Sequence, residues 1–286
     1  MKRLPLTALL VALASGLGAQ TLTERLKDVR IPWEAQLDRG DAPTVRKGIE
    51  ALLGREGVSV NPADYNDMHA LVALQSLAAR ACVSEGSWED AVLHLEKAKS
   101  AADENLAHAE PLLAKTRADH EAKLKEFREA MARQEPRIKE LEAAPGLTQD
   151  QIKLQQQLRI FMEEQKTATA HSEKALVDID GILATLRQDR ESTTKALADW
   201  QAFLAKEKAE VAEAGGPSRY VAGKVLQVKA DGTRPQAERL AYARRLEKLD
   251  PSNPEATRLV NAILGKEEQP APMPRPMKKR KKSAAK

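Results

Sequence analysis

From Leu154 to Phe203 the apolar and small residues recur at alternating steps of three and four for about seven heptads. The stripe runs through Leu154, Leu158, Phe161, Gln165, Ala168, Ser172, Ala175, Ile179, Ile182, Leu186, Asp189, Thr193, Ala196, Trp200 and Phe203, with charged residues on both flanks. A stripe this narrow cannot close a globular core, so the pattern predicts a helix with a second helix along its length. That second helix is expected upstream. It starts near Trp88 and meets no strong stop until Ala144-Pro145-Gly146. Pro111 and Pro136 lie inside it and are expected to kink or locally break it, because proline removes a backbone donor and crowds the preceding turn.

Folding the two helices back about a turn at 145–147 makes an antiparallel coiled-coil hairpin. If facing residues carry numbers summing to about 292, Leu113 meets Ile179, Leu106 meets Leu186 and Met131 meets Phe161. At the base, Trp200 and Phe203 fall beside Trp88 and Val92. Arms of about 60 residues would reach roughly 90 Å. The first arm has an irregularity at His120–Leu124, where four extra residues make a stutter and local unwinding is expected. The same pairing sets His120 against Ser172, either as a polar layer that fixes register or as a titrating seam residue.

Short helices are predicted on either side. Residues 21–39 and 42–53 form two, parted by Gly40-Asp41, and Pro62 opens a third that reaches about Val83. Ser87 is a candidate N-cap for the first arm, and Thr148 with Gln151 has capping-box form for the second, which stops at Gly215-Gly216. Pro217 begins a helix to Lys229, Thr233 with Gln236 repeats the capping-box form ahead of a helix to Leu249, and Asn253-Pro254 starts the last, ended by Gly265. Only GKVLQVKADG could be argued as a strand, and the signals around it favour helix.

Composition supports the helical reading. Aromatics are 3% of residues and charged residues 31%, too few and too many for an ordinary core over 286 positions. The formal charge of +4 is uneven. Setting aside Lys2, Arg3 and the seven cations from Arg275 onward leaves the body at about −5, so the basic character belongs to the ends. Without a basic face interleaved with stacking aromatics, nothing points to nucleic acid. Residues 1–19 pair a Lys2-Arg3 head with an apolar run and small residues, the pattern of a secretory signal cut near Gly18 or Ala19, with an uncleaved anchor or a buried helix as the alternatives. Cys82 is the single cysteine, so no disulfide can form within the chain, and its Ala-rich setting suggests a small core residue rather than a reactive thiol.

The stretch AARACVSEGSWEDAVLHLEKA resembles a tetratricopeptide repeat through Ala79, Gly86, Trp88, Ala91, Leu95 and Ala98. Leu249, Asp250, Pro251, Asn253 and Pro254 resemble the junction between two such repeats, and the helix pairs at 217 and 251 stand about 34 residues apart, the period of that family. Arg239 and Leu246 depart from the pattern, which prefers small residues there. The resemblance implies an all-α fold of repeat-like helical hairpins flanking a long antiparallel coiled-coil hairpin. The expected segments are a signal at 1–19, repeat-like helices at 20–87, the hairpin at 88–214, repeat-like helices at 215–265, and a proline-rich polybasic tail at 266–286. The whole is similar to exported periplasmic proteins that combine a coiled coil with these repeats, although there the coiled coil comes first. Such repeats bind proteins or peptides in a groove lined by their first helices, which here nominates Asn66, His69, Gln75 and Arg80.

No chemistry declares itself beside these contacts. His69, His94, His108, His120 and His171 are scattered, no Cys pair exists, and neither a phosphate-cradling glycine loop nor a nucleophile elbow is present. No catalytic residue, cofactor or metal is therefore assigned. The tail cations Lys278, Lys279, Arg280, Lys281 and Lys282 suit anionic lipid or wall polymer, or serve as a solubilising terminus. The expected role is an exported, non-enzymatic scaffold or adaptor with protein partners in the cell envelope. A holdase chaperone with a projecting arm is the alternative, and pairing of two hairpins into a homo-oligomer stays open.

Overall fold

The computed structural model describes residues 21–54 and 60–266. The expected signal, the tail beyond Lys266 with its cations Lys278, Lys279, Arg280, Lys281 and Lys282, and part of the loop after Leu53 lie outside the described residues. Eight helices follow one another, with no strand among the described residues: α1 Leu22–Asp38, α2 Ala42–Leu53, α3 Tyr65–Ser84, α4 Trp88–Ala143, α5 Gln149–Glu213, α6 Pro217–Ala230, α7 Gln236–Leu249 and α8 Pro254–Ile263. The all-α expectation holds, including GKVLQVKADG, most of which lies in α6. No helix among the described residues is long and apolar enough to cross a membrane.

Several helix ends differ from the sequence reading for local reasons. The third helix begins at Tyr65, not Pro62, because residues 61–64 close a turn and the Asp64 carboxylate accepts from the Asn66 backbone at 2.9 Å, capping the helix there. The Thr233 capping box does not form. The Thr233 hydroxyl donates back to Asp231 at 2.8 Å, and Pro235 occupies the N-cap of α7 without a side-chain cap bond. The boxes at Thr148–Gln151 and the cap at Asn253 do form: the Thr148 amide donates to the Gln151 side chain at 2.8 Å, and Asn253 Oδ1 accepts from the Glu255 amide at 3.0 Å. Neither Pro111 nor Pro136 breaks α4, which continues for 56 residues. Both prolines are exposed, so the carbonyls they leave unbonded can turn to water.

The described chain gathers into two compact units built from interleaved segments. The first takes the segment ending at Ile31, Ile49–Leu77 and Leu93–Asp199, and so contains the hairpin apart from the base of its two arms. Its α5 seam matches the sequence reading: Ser172, Ile179, Leu186 and Thr193 are buried, and every other seam position from Leu154 to Trp200 is half-buried. Leu106, Ala109 and Leu113 form one cluster with Ile179 and Leu186, joined by Ile182 and Leu183, as the antiparallel register requires. Across the flanks, Arg190 reaches Asp103 at 2.8 Å, Arg128 reaches Glu173 at 2.9 Å and Arg159 reaches Glu142 at 2.9 Å. The stutter is visible in burial. Along α4 the covered positions step through Ala109, Leu113, Thr116, His120, Leu124 and Phe127, with two consecutive four-residue steps about His120. The helix itself does not break there, and His120 Nδ1 is buried without a hydrogen-bond partner. Below the hairpin, Met68 and Val72 of α3 pack on Ala101 and Ala102 of α4.

The second unit takes Pro32–Gly48, Ala78–Val92 and the chain from Trp200 onward. Helices α6, α7 and α8 share a core of Tyr220, Val221, Val225, Leu240, Ala243, Leu246, Ala256, Leu259, Val260 and Ile263. Leu246, one of the departures from the repeat pattern, is fully buried in it. Cys82 is fully buried, and burial pushes its thiol pKa up, with Arg46 working in the opposite direction. That is the behaviour of a core residue.

Candidate interaction surfaces

The four groove candidates divide between the two units: Asn66, His69 and Gln75 fall in the first and Arg80 in the second. Asn66 is exposed in the first turn of α3. His69, half-buried, places Nδ1 2.5 Å from Asp189 Oδ2, so a seam carboxylate of α5 is held by α3. Its hydrogen bond to Asp189 raises the His69 pKa against the opposing pull of burial, and the Arg30 charge lowers it further. Gln75 is buried, and its Oε1 lies 2.7 Å from His94 Nδ1 on α4. Arg80 belongs to the second unit, where it is exposed and lies 4.0 Å from Asp38. His69 and Gln75 thus bond to the hairpin helices of their own chain.

The second unit holds a charged and aromatic node that the sequence reading did not assign. Arg245 of α7 donates through Nε to Glu207 at 3.0 Å and through Nη1 and Nη2 to the two oxygens of Glu89, each at 2.6 Å. Its guanidinium lies 5.0 Å from the Trp88 ring centroid. Trp88 in turn meets Phe203 at 5.1 Å, Tyr242 at 5.6 Å and Trp200 at 5.8 Å between centroids, so the expected meeting of Trp88, Trp200 and Phe203 occurs. Burial acts to lower the Arg245 pKa, and the bonds to Glu89 and Glu207 outweigh it, so the group stays a cation. The same contact holds the Glu89 carboxyl below its usual range. Glu207 was legible as an anomaly, since it continues the heptad after Phe203 and sets a carboxylate where an apolar residue belongs. Arg245 carried no such signal.

Beside the node is a cavity of about 220 Å³ whose walls include Phe203, Glu207, Glu210, Tyr220, Lys224 and Tyr242. Its charges are paired within the chain: Lys224 reaches Glu210 at 3.0 Å, and Arg234 reaches Asp231 at 2.8 Å. The Tyr220 and Tyr242 hydroxyls are 3.3 Å apart, and burial followed by that hydrogen bond raises the Tyr220 pKa, keeping the phenol protonated. This arrangement positions no nucleophile against a base. Among the described residues no group of three or more His, Cys, Asp or Glu side chains is placed to hold a metal ion.

The outward side of α5 is different. Ile160 and Val177 are 61% and 70% exposed, although both occupy the helix face opposite the seam, where a hairpin ordinarily carries charge. A shallow, largely apolar depression runs from Ile160 and Thr167 round to the seam residue Ala168, between Arg159 and His171. No family model, no curated protein and no solved structure matches this chain.

Proposed function

We propose that this protein is an exported, non-enzymatic scaffold or adaptor of the cell envelope, with the coiled-coil hairpin as its principal contact element. The observation that carries this reading is how the hairpin uses its side chains. Its helices bury a narrow seam against each other and leave long faces for outside contact, with large apolar residues such as Leu112, Ile160 and Val177 exposed on them. The helices of α3 and α6–α8 serve in this reading as repeat-like modules that add protein contacts. The polybasic tail adds attraction to anionic lipid or wall polymer, at about 1 kcal/mol per cation near a charged membrane surface.

The test is crosslinking in the source cell from photoreactive residues placed along α5 of the full-length protein, followed by identification of the adducts. One or two envelope partners at fixed stoichiometry support the scaffold. A broad set of unfolded envelope proteins would replace it with the holdase reading, and an arm that captures nothing would overturn both.

A further inference from the structure

The outward stripe of α5 runs through Gln156, Ile160, Glu163, Thr167, Ala170, Lys174, Val177 and Gly181, all exposed and at alternating steps of three and four. Such a stripe on the back of a helix is a second seam with nothing packed on it from its own unit. We infer that its occupant is the same stripe of a second copy, laid antiparallel about a two-fold axis between Ala168 and Thr169. This goes beyond the scaffold reading and holds whether or not the arm also takes a foreign partner.

The residues on the stripe and its two edges select that arrangement. With the axis there, Ile160 meets Val177 of the second copy, Thr167 meets Ala170, and Glu163 meets Lys174. A two-fold axis keeps each edge of the helix against the same edge of its mate. On one edge this sets Arg159 against Asp180 and Lys166 against Glu173, both opposite in sign and each occurring twice. On the other edge Glu164 meets His171 and Gln157 meets Asp178, again without like charges. Sliding by one heptad either way destroys the match: one slip places Arg159 against Arg187, the other places Lys166 against its own copy. Glu173 and Asp180 already bond Arg128 and Arg117 of their own hairpin, so the pairs between copies extend chains of alternating charge. The matched stretch from Lys153 to Ala184 is roughly 50 Å long. At a helix width of about 10 Å it buries on the order of 1,000 Å² in total, at the low end for a specific interface, so the dimer should exchange with monomer at micromolar concentration.

Sedimentation equilibrium of the full chain between about 5 and 500 µM tests this. The expected mass rises with concentration from the 31.4 kDa monomer toward twice that value. Ile160→Glu with Val177→Glu should weaken association at least tenfold without loss of helicity, since both side chains are exposed. Lys166→Glu or Glu173→Lys alone should each weaken it by about threefold or more, and the two together in one chain should restore it, because the edge then pairs with reversed signs. Should the apolar double variant fail to fold, the charge reversal still decides. A monomer mass throughout, a dimer indifferent to the apolar substitutions, or paired charge reversals that do not restore association would each overturn the proposal.

Discussion

Arg245 and Glu207 form a buried ion pair in which both side chains are at most 5% exposed, with Nη2 2.6 Å and Nε 3.0 Å from one carboxylate oxygen. Glu89, which accepts from the same guanidinium, is 55% exposed. The two carboxylates therefore differ in what their removal leaves behind. Glu207→Gln removes the buried charge and leaves the desolvated cation with the exposed Glu89 alone, which should cost about 3 kcal/mol, whereas water can replace much of Glu89, so Glu89→Gln should cost about 1 kcal/mol or less. Urea unfolding of the two variants checks the ordering, and equal losses would show that burial does not set the value of these contacts.

Gly86 faces the same residue from the other side. Its φ is +73°, and a Cβ there would fall 2.5 Å from the Arg245 backbone nitrogen. Neither backbone can yield cheaply, so Gly86→Ala combines an unfavourable φ with a backbone clash. The expected loss is about 3 kcal/mol, with Trp88 fluorescence reporting disruption of the aromatic cluster. A change below about 0.5 kcal/mol would mean that the α7 backbone does not lie against this turn in solution.

Gly86 and Glu207 also mark where sequence reasoning reached and where it stopped. The turn glycine was legible because a helix stop followed by a cap signal surrounds it, although the backbone pressing on it comes from 159 residues away. The α5 seam was legible for the same local reason: period fixes face, and the covered positions from Leu154 to Trp200 follow it. What failed depended on competition between neighbours. Thr233 had the cap sequence, yet Asp231 offered its hydroxyl a nearer partner. Of the kink or break expected at Pro111 and Pro136, the break does not occur, because sequence does not say that both sites face solvent. The groove candidates His69 and Gln75 also make contacts that a reading of one helix at a time does not supply. They bond to Asp189 and His94, whose helical positions follow from the sequence but whose distance from α3 does not.

The seam also gives a direct test of the hairpin register. Ile179 is 5% exposed and shares a cluster with Leu106 and Leu113, with Ile182 packed against it. Replacing both isoleucines with Asp buries two carboxylates in a stripe only one residue wide and removes its largest apolar contacts. Far-ultraviolet circular dichroism should show the arm losing most of its helicity, while α6–α8 remain folded and protected from hydrogen exchange. Unchanged helix content and melting would rule out the pairing of α4 with α5 along this face.

His69 and Asp189 should make stability depend on pH in a predictable direction. The hydrogen bond to Asp189 raises the folded-state pKa of His69 above its ordinary 6.5, although burial and Arg30 pull the other way. A group whose pKa is raised on folding contributes its full stability below the unfolded value and loses it as pH climbs through the folded value. The wild-type advantage over His69→Gln should therefore be fully present well below pH 6.5 and be lost as pH climbs through the raised folded-state value. Asp189→Asn should remove the same pH-dependent increment, because the carboxylate is what favours the imidazolium. The contact is partly open to solvent on the His69 side, at 41% exposure, so the shift in Tm should be a few degrees at most and should shrink in high salt. A Tm difference between wild type and His69→Gln that stays constant from pH 5.5 to 8.5 would show that the pair contributes packing alone.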